Sequence, residues 1–346
     1  MTTAIFRDDL FLAHDPGHSH VERPQRLECI YKELDRPEIA ENFVFPVARP
    51  ASHAILSAIH TEGHIERIAQ TKGRTFDALD ADTTTSPDSY DAACLAAGAV
   101  VEGVSQVVAG QVDNAFALVR PPGHHAEGDR AMGFCLFNNV AIGAQYALDQ
   151  LGLKRVMIID WDLHHGNGTQ HSFYNSDQVL YFSCHQYPYY PGSGAVDECG
   201  EGQGLGHTVN VPLPAGLGDE QYARIFNDIV APVARAYKPQ LILVSAGYDT
   251  HVNDPLGGMT VTNDGFAYQT RKVMELAQEI CGGKLLITLE GGYNLEGLTN
   301  GILVGLTEMV GRTSLSGETL AQLTGTTADF PGFAAAFEQA ASHWHF

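Results

Sequence analysis

Residues 156–170, Val156-Met-Ile-Ile-Asp-Trp-Asp-Leu-His-His-Gly-Asn-Gly-Thr-Gln170, decide how this chain is read. The apolar run Val156 to Ile159 predicts a buried strand, and it ends abruptly in two carboxylates and two imidazoles. Asp160, Asp162 and His164 are spaced i, i+2, i+4, which in an extended chain turns all three to one side. Gly166 and Gly168 then let the backbone turn sharply and approach a neighbouring group. A buried strand has no structural use for so much polarity at its carboxyl end, so the stretch reads as part of a metal site.

On either side of it, strands alternate with helices. Ala115–Val119, Val179–Ser183, Leu241–Val244 and Lys284–Leu289 are short apolar runs that predict strands. Helical spacing covers 24–34, 88–110, 138–151, 221–236, 262–281 and 295–310, with two short helices within 51–70 around His60–His64. This alternation predicts an α/β fold with a parallel sheet covered on both faces. In such sheets the active site lies outside the carboxyl ends of the strands. Four strands end in polar or glycine-rich loops, at 120–126, 160–168, 245–251 and 290–293, so these loops are expected to converge on one rim. No repeat, linker or shift in composition divides the chain, and residues 1–346 read as one catalytic domain. The tail from Arg312 is weakly patterned.

Composition narrows the function. The net charge of −21 argues against nucleic acid or an anionic membrane surface as a direct partner. No basic, apolar segment of the secretory type opens the chain, and no unbroken apolar run reaches a membrane span. The six cysteines are scattered without a CxxC pair and read as reduced thiols, which suggests a cytoplasmic location. Nothing determines the oligomeric state, and a homo-oligomer stays open. His14, His18 and His20 could be ligands, although loop histidines without fixed spacing are usually solvated.

At the rim, Asp162 and His164 give an O,N ligand pair, and Asp249, after a second strand, can supply a third ligand. Two carboxylates and one imidazole with an open position suit a catalytic Zn²⁺, or Fe²⁺ or Co²⁺ in its place. Taken alone, an Asp after a strand is as often a helix N-cap. A metal so held binds a water, lowers its pKa and polarises a carbonyl. Such a reaction needs proton transfer, for which His124-His125 are candidates, with Asp160 and Asn167 able to bind their ring N–H groups. Tyr293 could donate to an oxyanion. Each of these has an ordinary alternative, a loop histidine pair or a packed tyrosine.

Together the motifs are specific. Arg120-Pro-Pro-Gly-His-His-Ala126, Gly133-Phe-Cys-Leu-Phe-Asn-Asn139, Asp160-Trp-Asp-Leu-His-His-Gly-Asn-Gly-Thr-Gln170, Ala246-Gly-Tyr-Asp249 and Glu290-Gly-Gly-Tyr-Asn294 closely resemble the zinc-dependent histone deacetylase family. They occur in the family's order from about His14 to Val310, in the flavour of its class II and bacterial amidohydrolase branch.

The resemblance implies an arginase-like three-layer fold with a central eight-stranded parallel sheet. It implies one zinc held by Asp162, His164 and Asp249, and His124 and His125 as a tandem catalytic pair partnered by Asp160 and Asn167. Class I members have a second Asp where Asn167 stands, so His125 is expected to hold a proton less readily than His124. Tyr293 matches the oxyanion donor. Phe134 and Tyr190 match the walls of an acyl-lysine tunnel, with Gly133, Gly292 and Leu256 alongside. A structural potassium would sit near Asp160, Asp162, His164, Ser183 and Cys184. His165 should point away from the zinc. The implied reaction is hydrolysis of an acylated lysine or a similar small acyl-amine.

Three alternatives are weighed against this. A two-manganese ureohydrolase would need a bridging carboxylate where Gly166 stands. An acetylpolyamine deacetylase of the eukaryotic type would carry Glu at the Leu256 position in Asn253-Asp-Pro-Leu-Gly-Gly258, and the bacterial type a long insertion where Asp80–Tyr90 is short. A non-catalytic acyl-ligand binder is disfavoured by intact candidates for every catalytic role.

Overall fold

The structure, a computed structural model, describes residues 1–17 and 19–346. His18 lies outside the described residues. The strands are β1 (Thr3–Phe6), β2 (Phe43–Val44), β3 (Asp77–Ala78), β4 (Thr84–Thr85), β5 (Asn114–Ala117), β6 (Val156–Asp160), β7 (Val179–Gln186), β8 (Thr208–Leu213), β9 (Leu241–Ala246) and β10 (Leu285–Leu289). Eight form one sheet in the order β2-β1-β5-β10-β9-β6-β7-β8, and every pairing in it is parallel. β3 and β4 make a small separate hairpin.

The five strands expected from apolar runs are present. β1, β2 and β8 add to them, two of these lying at sheet edges. β8 contains Pro212, which an edge tolerates because its missing N–H costs no ladder bond there. β7 extends three residues beyond expectation, through Cys184, His185 and Gln186, because β8 pairs with it along that stretch. Every residue of β1, β5, β6, β9 and β10 is buried, as a sheet packed on both faces requires.

Helices Ser89–Val108 and Asn139–Asp149 pack together and onto the sheet, and Asn263–Cys281 packs on the sheet and against Leu295–Met309. Ser89–Val108 is long and apolar enough to cross a membrane by length and composition, but 72% of its most apolar window is buried in this fold. It is a core helix. The helix expected at 221–236 runs from Asp219 to Tyr237 with a wider turn over Phe226–Val230. Pro232 follows that turn and has no N–H for an ordinary helical bond, which the extra residue accommodates.

The sheet order matters most for function. β5, β10, β9 and β6 are consecutive neighbours at its centre. Their carboxyl ends lead into the four loops at 120–126, 290–293, 245–251 and 160–168. Segments far apart in sequence, β5 (Asn114–Ala117) and β10 (Leu285–Leu289) most of all, are thereby set one strand spacing apart.

Candidate active site

Asp162, His164 and Asp249 come together as a buried group, each offering a ligand atom within 4.8 Å of the others. His164 Nδ1 lies 3.2 Å from Asp162 Oδ1 and 3.1 Å from Asp249 Oδ2. The remaining carboxylate oxygens are tied down by backbone amides. Gly291 N–H donates to Asp162 Oδ2 and Leu163 N–H to Asp249 Oδ1. Burial and the neighbouring Asp162 charge push the Asp249 carboxyl up to about 7. Burial works against charge on His164 too, yet the two carboxylates push its pKa up to about 9. Two buried carboxylates converging on one imidazole thus call for a positive charge between them, and an Asp-His-Asp donor set with an open side fits a zinc ion.

His124 and His125 stand beside this group. His124 Nδ1 lies 3.0 Å from Asp160 Oδ2, and His125 Nδ1 lies 2.8 Å from Asn167 Oδ1. Each ring therefore turns Nε2 away from its partner, and His124 Nε2 sits 3.8 Å from Asp162 Oδ1. Burial opposes charge on both rings, but Asp162 and Asp160 overcome it at His124, whose pKa rises to about 10. Burial also pushes the Asp160 carboxyl up, so the pair shares one proton. Tyr181 O–H donates to the same Asp160 oxygen and favours the carboxylate, which leaves that proton on the His124 ring. At His125 burial, with the adjacent His124 and His164 charges, outweighs Asp162 and Asn167 and holds the pKa well below the usual imidazole value.

Glycines make room for this packing. Gly133 has φ +56°, and a side chain there would meet the His125 ring at 2.4 Å. A side chain at Gly166 would come within 2.5 Å of Asp160 Oδ2 and of the Tyr181 hydroxyl. The position where a ureohydrolase carries its bridging carboxylate therefore has no space for one.

Tyr293 is buried, and Asp254 Oδ2 accepts from its backbone N–H at 2.7 Å and from Asn294 N–H at 3.1 Å. Phe134 meets the Tyr293 ring edge-on at 5.9 Å. Tyr190 meets the His125 ring edge-on at 5.1 Å. Tyr189, which sequence reasoning missed, stacks on His164 at 5.6 Å and donates its hydroxyl to the Leu256 carbonyl at 2.7 Å. Gly292 follows with φ +118° in the Tyr293 loop. Tyr189 and Tyr190 thus both pack against His164, with Leu256 behind Tyr189, while Phe134 packs against Tyr293.

The ions of a second network were also missed. Glu22 pairs with Arg120, Arg26 and His14, all buried. Burial raises the Glu22 carboxyl, yet the Arg120 and His14 partners hold it well below the carboxylate range. Arg26 donates Nε to the Gly292 carbonyl and a terminal nitrogen to the Glu290 carbonyl. Glu290 in turn accepts from Gly123 N–H, His124 N–H and the Ser245 hydroxyl. Glu22 and Arg26, spaced i, i+4, look like an exposed helix pair in sequence, so no local signal marks them.

His14 is not free to bind metal, since Nδ1 pairs with the Ser89 hydroxyl at 2.7 Å and Nε2 faces Glu22. Both His20 nitrogens face backbone carbonyls. His165 turns away from the ligand group to Ser193 Oγ and Gln170 Oε1, a structural role. Ser183 Oγ bonds His185 Nδ1, and Cys184 Sγ faces the Asp160 carbonyl.

An eight-stranded parallel sheet with its chemistry gathered at the central carboxyl ends has the architecture of an arginase-like hydrolase. Residues 20–309 match the histone deacetylase domain family. The chain is 41% identical over 299 residues to an Archaeoglobus fulgidus protein named "Probable deacetylase", covering 86% of this chain and 83% of that one. It is 40% identical over 307 residues to histone deacetylase 15 of Arabidopsis thaliana, covering 86% of this chain and 55% of the relative. The crystal structure of the HDA15 HD domain superposes with a TM-score of 0.89 at 35% identity, covering 99% of this chain and 95% of that domain. Against histone deacetylase 5 of Arabidopsis thaliana the chain spans 47% of the relative's length. The chain belongs to the histone deacetylase family and is a deacetylase by class. That family is zinc-dependent in general, in keeping with the buried Asp-His-Asp group.

Proposed function

We propose that this chain is a zinc-dependent amidohydrolase that removes acetyl or other acyl groups from acylated lysine or a similar amine. One observation carries the reading: His124 and His125, each ring turned by a different partner at Nδ1, stand beside a buried Asp-His-Asp ligand group. Asp162, His164 and Asp249 would hold the zinc, which supplies Lewis-acid polarisation of the acyl carbonyl and activation of a water.

The protein's own groups supply the proton transfers. His125 donates its Nδ1 proton to Asn167, so its Nε2 keeps a lone pair and takes a proton from the attacking water. His124, its Nδ1–H held by the Asp160 carboxylate, gives its Nε2 proton to the leaving amine. The Tyr293 hydroxyl donates to the oxyanion as it forms. Phe134 and Tyr190 flank the aliphatic stem of the acyl-lysine, with Gly133, Gly292 and Leu256 lining the approach.

A structural potassium belongs to the same proposal, at Asp160, Asp162, His164, Ser183 and Cys184. These residues are buried, and Asp160 and Ser183 are register partners across β6 and β7. Potassium content of the purified protein, measured by elemental analysis, tests it.

The functional test is turnover of the zinc-loaded protein on acetyl-lysine and longer acyl-lysine peptides and on acetylpolyamines. Hydrolysis of an acyl-lysine peptide is the expected result. Preference for acetylpolyamine would move the substrate assignment, and zinc binding without turnover of any amide would refute the enzyme.

A further inference from the structure

The side-chain amide of Asn167 separates two kinds of partner. Its Oδ1 accepts from His125 Nδ1 at 2.8 Å. Its Nδ2 faces only acceptors: Glu127 Oε1 at 2.5 Å, the His125 carbonyl at 3.4 Å and Met132 Sδ at 3.4 Å. An ionised carboxylate has no proton to give, so it accepts only from the amide nitrogen. Turning the amide over would press Oδ1 against a carboxylate and a carbonyl, and would set an NH₂ group against the His125 Nδ1–H.

Glu127 is itself anchored. Both of its oxygens lie close to His171 Nδ1, at 2.9 and 3.0 Å, and the Arg130 guanidinium is 3.9 Å away. The Glu127 side chain is 9% exposed and that of His171 52%, so the line from His125 through Asn167 and Glu127 ends at the surface. Burial raises the Glu127 carboxyl, but the bonds from His171 and Asn167 outweigh it and keep the group ionised.

We infer that Glu127, backed by His171, is a positioning residue that acts through the Asn167 amide to select the His125 tautomer with its proton on Nδ1. That tautomer leaves Nε2 unprotonated and facing the reaction, so the inference rests on the base role proposed for His125. The device is needed because position 167 is Asn. An Asp there accepts at both oxygens and needs no orienting partner. Beside Glu127, however, it would bring two carboxylates into contact.

The test compares zinc-loaded wild type with Glu127→Gln, Asn167→Asp, the double variant and His171→Ala on an acetyl-lysine peptide, with kcat, KM, zinc content and Tm measured for each. Glu127→Gln is isosteric but can offer either amide end to Asn167, and it is expected to lower kcat about tenfold with KM unchanged. His171→Ala, a change at the surface, gives a smaller loss in the same direction. Asn167→Asp alone lowers kcat through the carboxylate contact, and adding Glu127→Gln to it raises kcat. That reversal of sign has no explanation if Glu127 merely supports the fold. Unchanged kcat in Glu127→Gln, or the same loss in both backgrounds, would overturn the inference. Independently of turnover, ¹⁵N NMR of the His125 ring should show one tautomer in wild type and a mixture in Glu127→Gln. A single unchanged tautomer in both would also overturn it, whereas an inactive wild type with this spectral difference would refute only the proposed activity.

Discussion

The rings of His124 and His125 lie 4.0 Å apart, tilted by 44°, and each is oriented at Nδ1 by a different partner. Their Nδ1 partners differ in one atom: Asp160 presents a carboxylate oxygen where Asn167 presents a neutral amide oxygen. Adjacent residues in one loop are thus oriented by two residues of one later segment, Asp160 at the end of β6 and Asn167 at the start of the helix Asn167–Phe173.

The Tyr293 hydroxyl has no protein hydrogen-bond partner among the described residues, so removing it disturbs little of the resting structure. Tyr293→Phe is expected to lower kcat by about 10²–10³-fold with KM nearly unchanged and Tm preserved. Equal rates for the variant and wild type would remove the oxyanion role.

Chelation should abolish turnover and lower Tm, and zinc should restore both at one ion per chain. Asp249→Ala deletes a third of the ligand group, and its zinc affinity should fall together with activity. Elemental analysis giving two tightly held manganese ions per chain would instead support ureohydrolase chemistry, which the close packing around Gly166 opposes.

His60 gives the fold an acid sensitivity away from the metal ligands. Its Nδ1–H donates to the Glu127 carbonyl, and its Nε2 accepts from Asn138 N–H, so a second ring proton would face a donor. Burial, with help from His64, lowers its pKa to about 3. Above pH 6.5 the ring is neutral in both folded and unfolded chains and stability is unaffected. As pH falls from 6.5 towards 3 the unfolded chain takes up the proton and the folded one does not, so stability is lost. The slope is about 1.4 kcal/mol per pH unit for this one group. Urea titrations at pH 7, 6 and 5 should show that His60→Gln reduces the slope by that amount. An identical pH dependence would reject the assignment.

Glu22 neutralises two buried arginines, and Arg26 in turn holds the carbonyls of the loop that carries Tyr293. Glu22→Gln leaves those cations without a buried counter-charge and is expected to destabilise by about 3–5 kcal/mol. Denaturant unfolding measures this directly. A change below about 1 kcal/mol would mean that water reaches the network.

Local pattern determined the parts of this protein that repeat along the chain or sit next to each other in it. The five apolar runs bounded by glycine and polar residues were long enough to read as strands, and the Asp160–His164 spacing marked a ligand set because an extended strand end aligns alternate side chains. β2 has two residues and β8 carries Pro212, so neither shows a strand pattern until neighbours supply its hydrogen bonds. β1, as short as β5, is marked as a strand only by its pairing between β2 and β5. Tertiary structure alone placed β5, β10, β9 and β6 side by side, and so decided that Asp249 meets His164 and that Asn167 meets His125. The buried ions Glu22, Arg26 and Glu127 belong to that second category as well. A charged residue announces burial only through the partners that compensate it, and those partners are distant in sequence and close only in the fold.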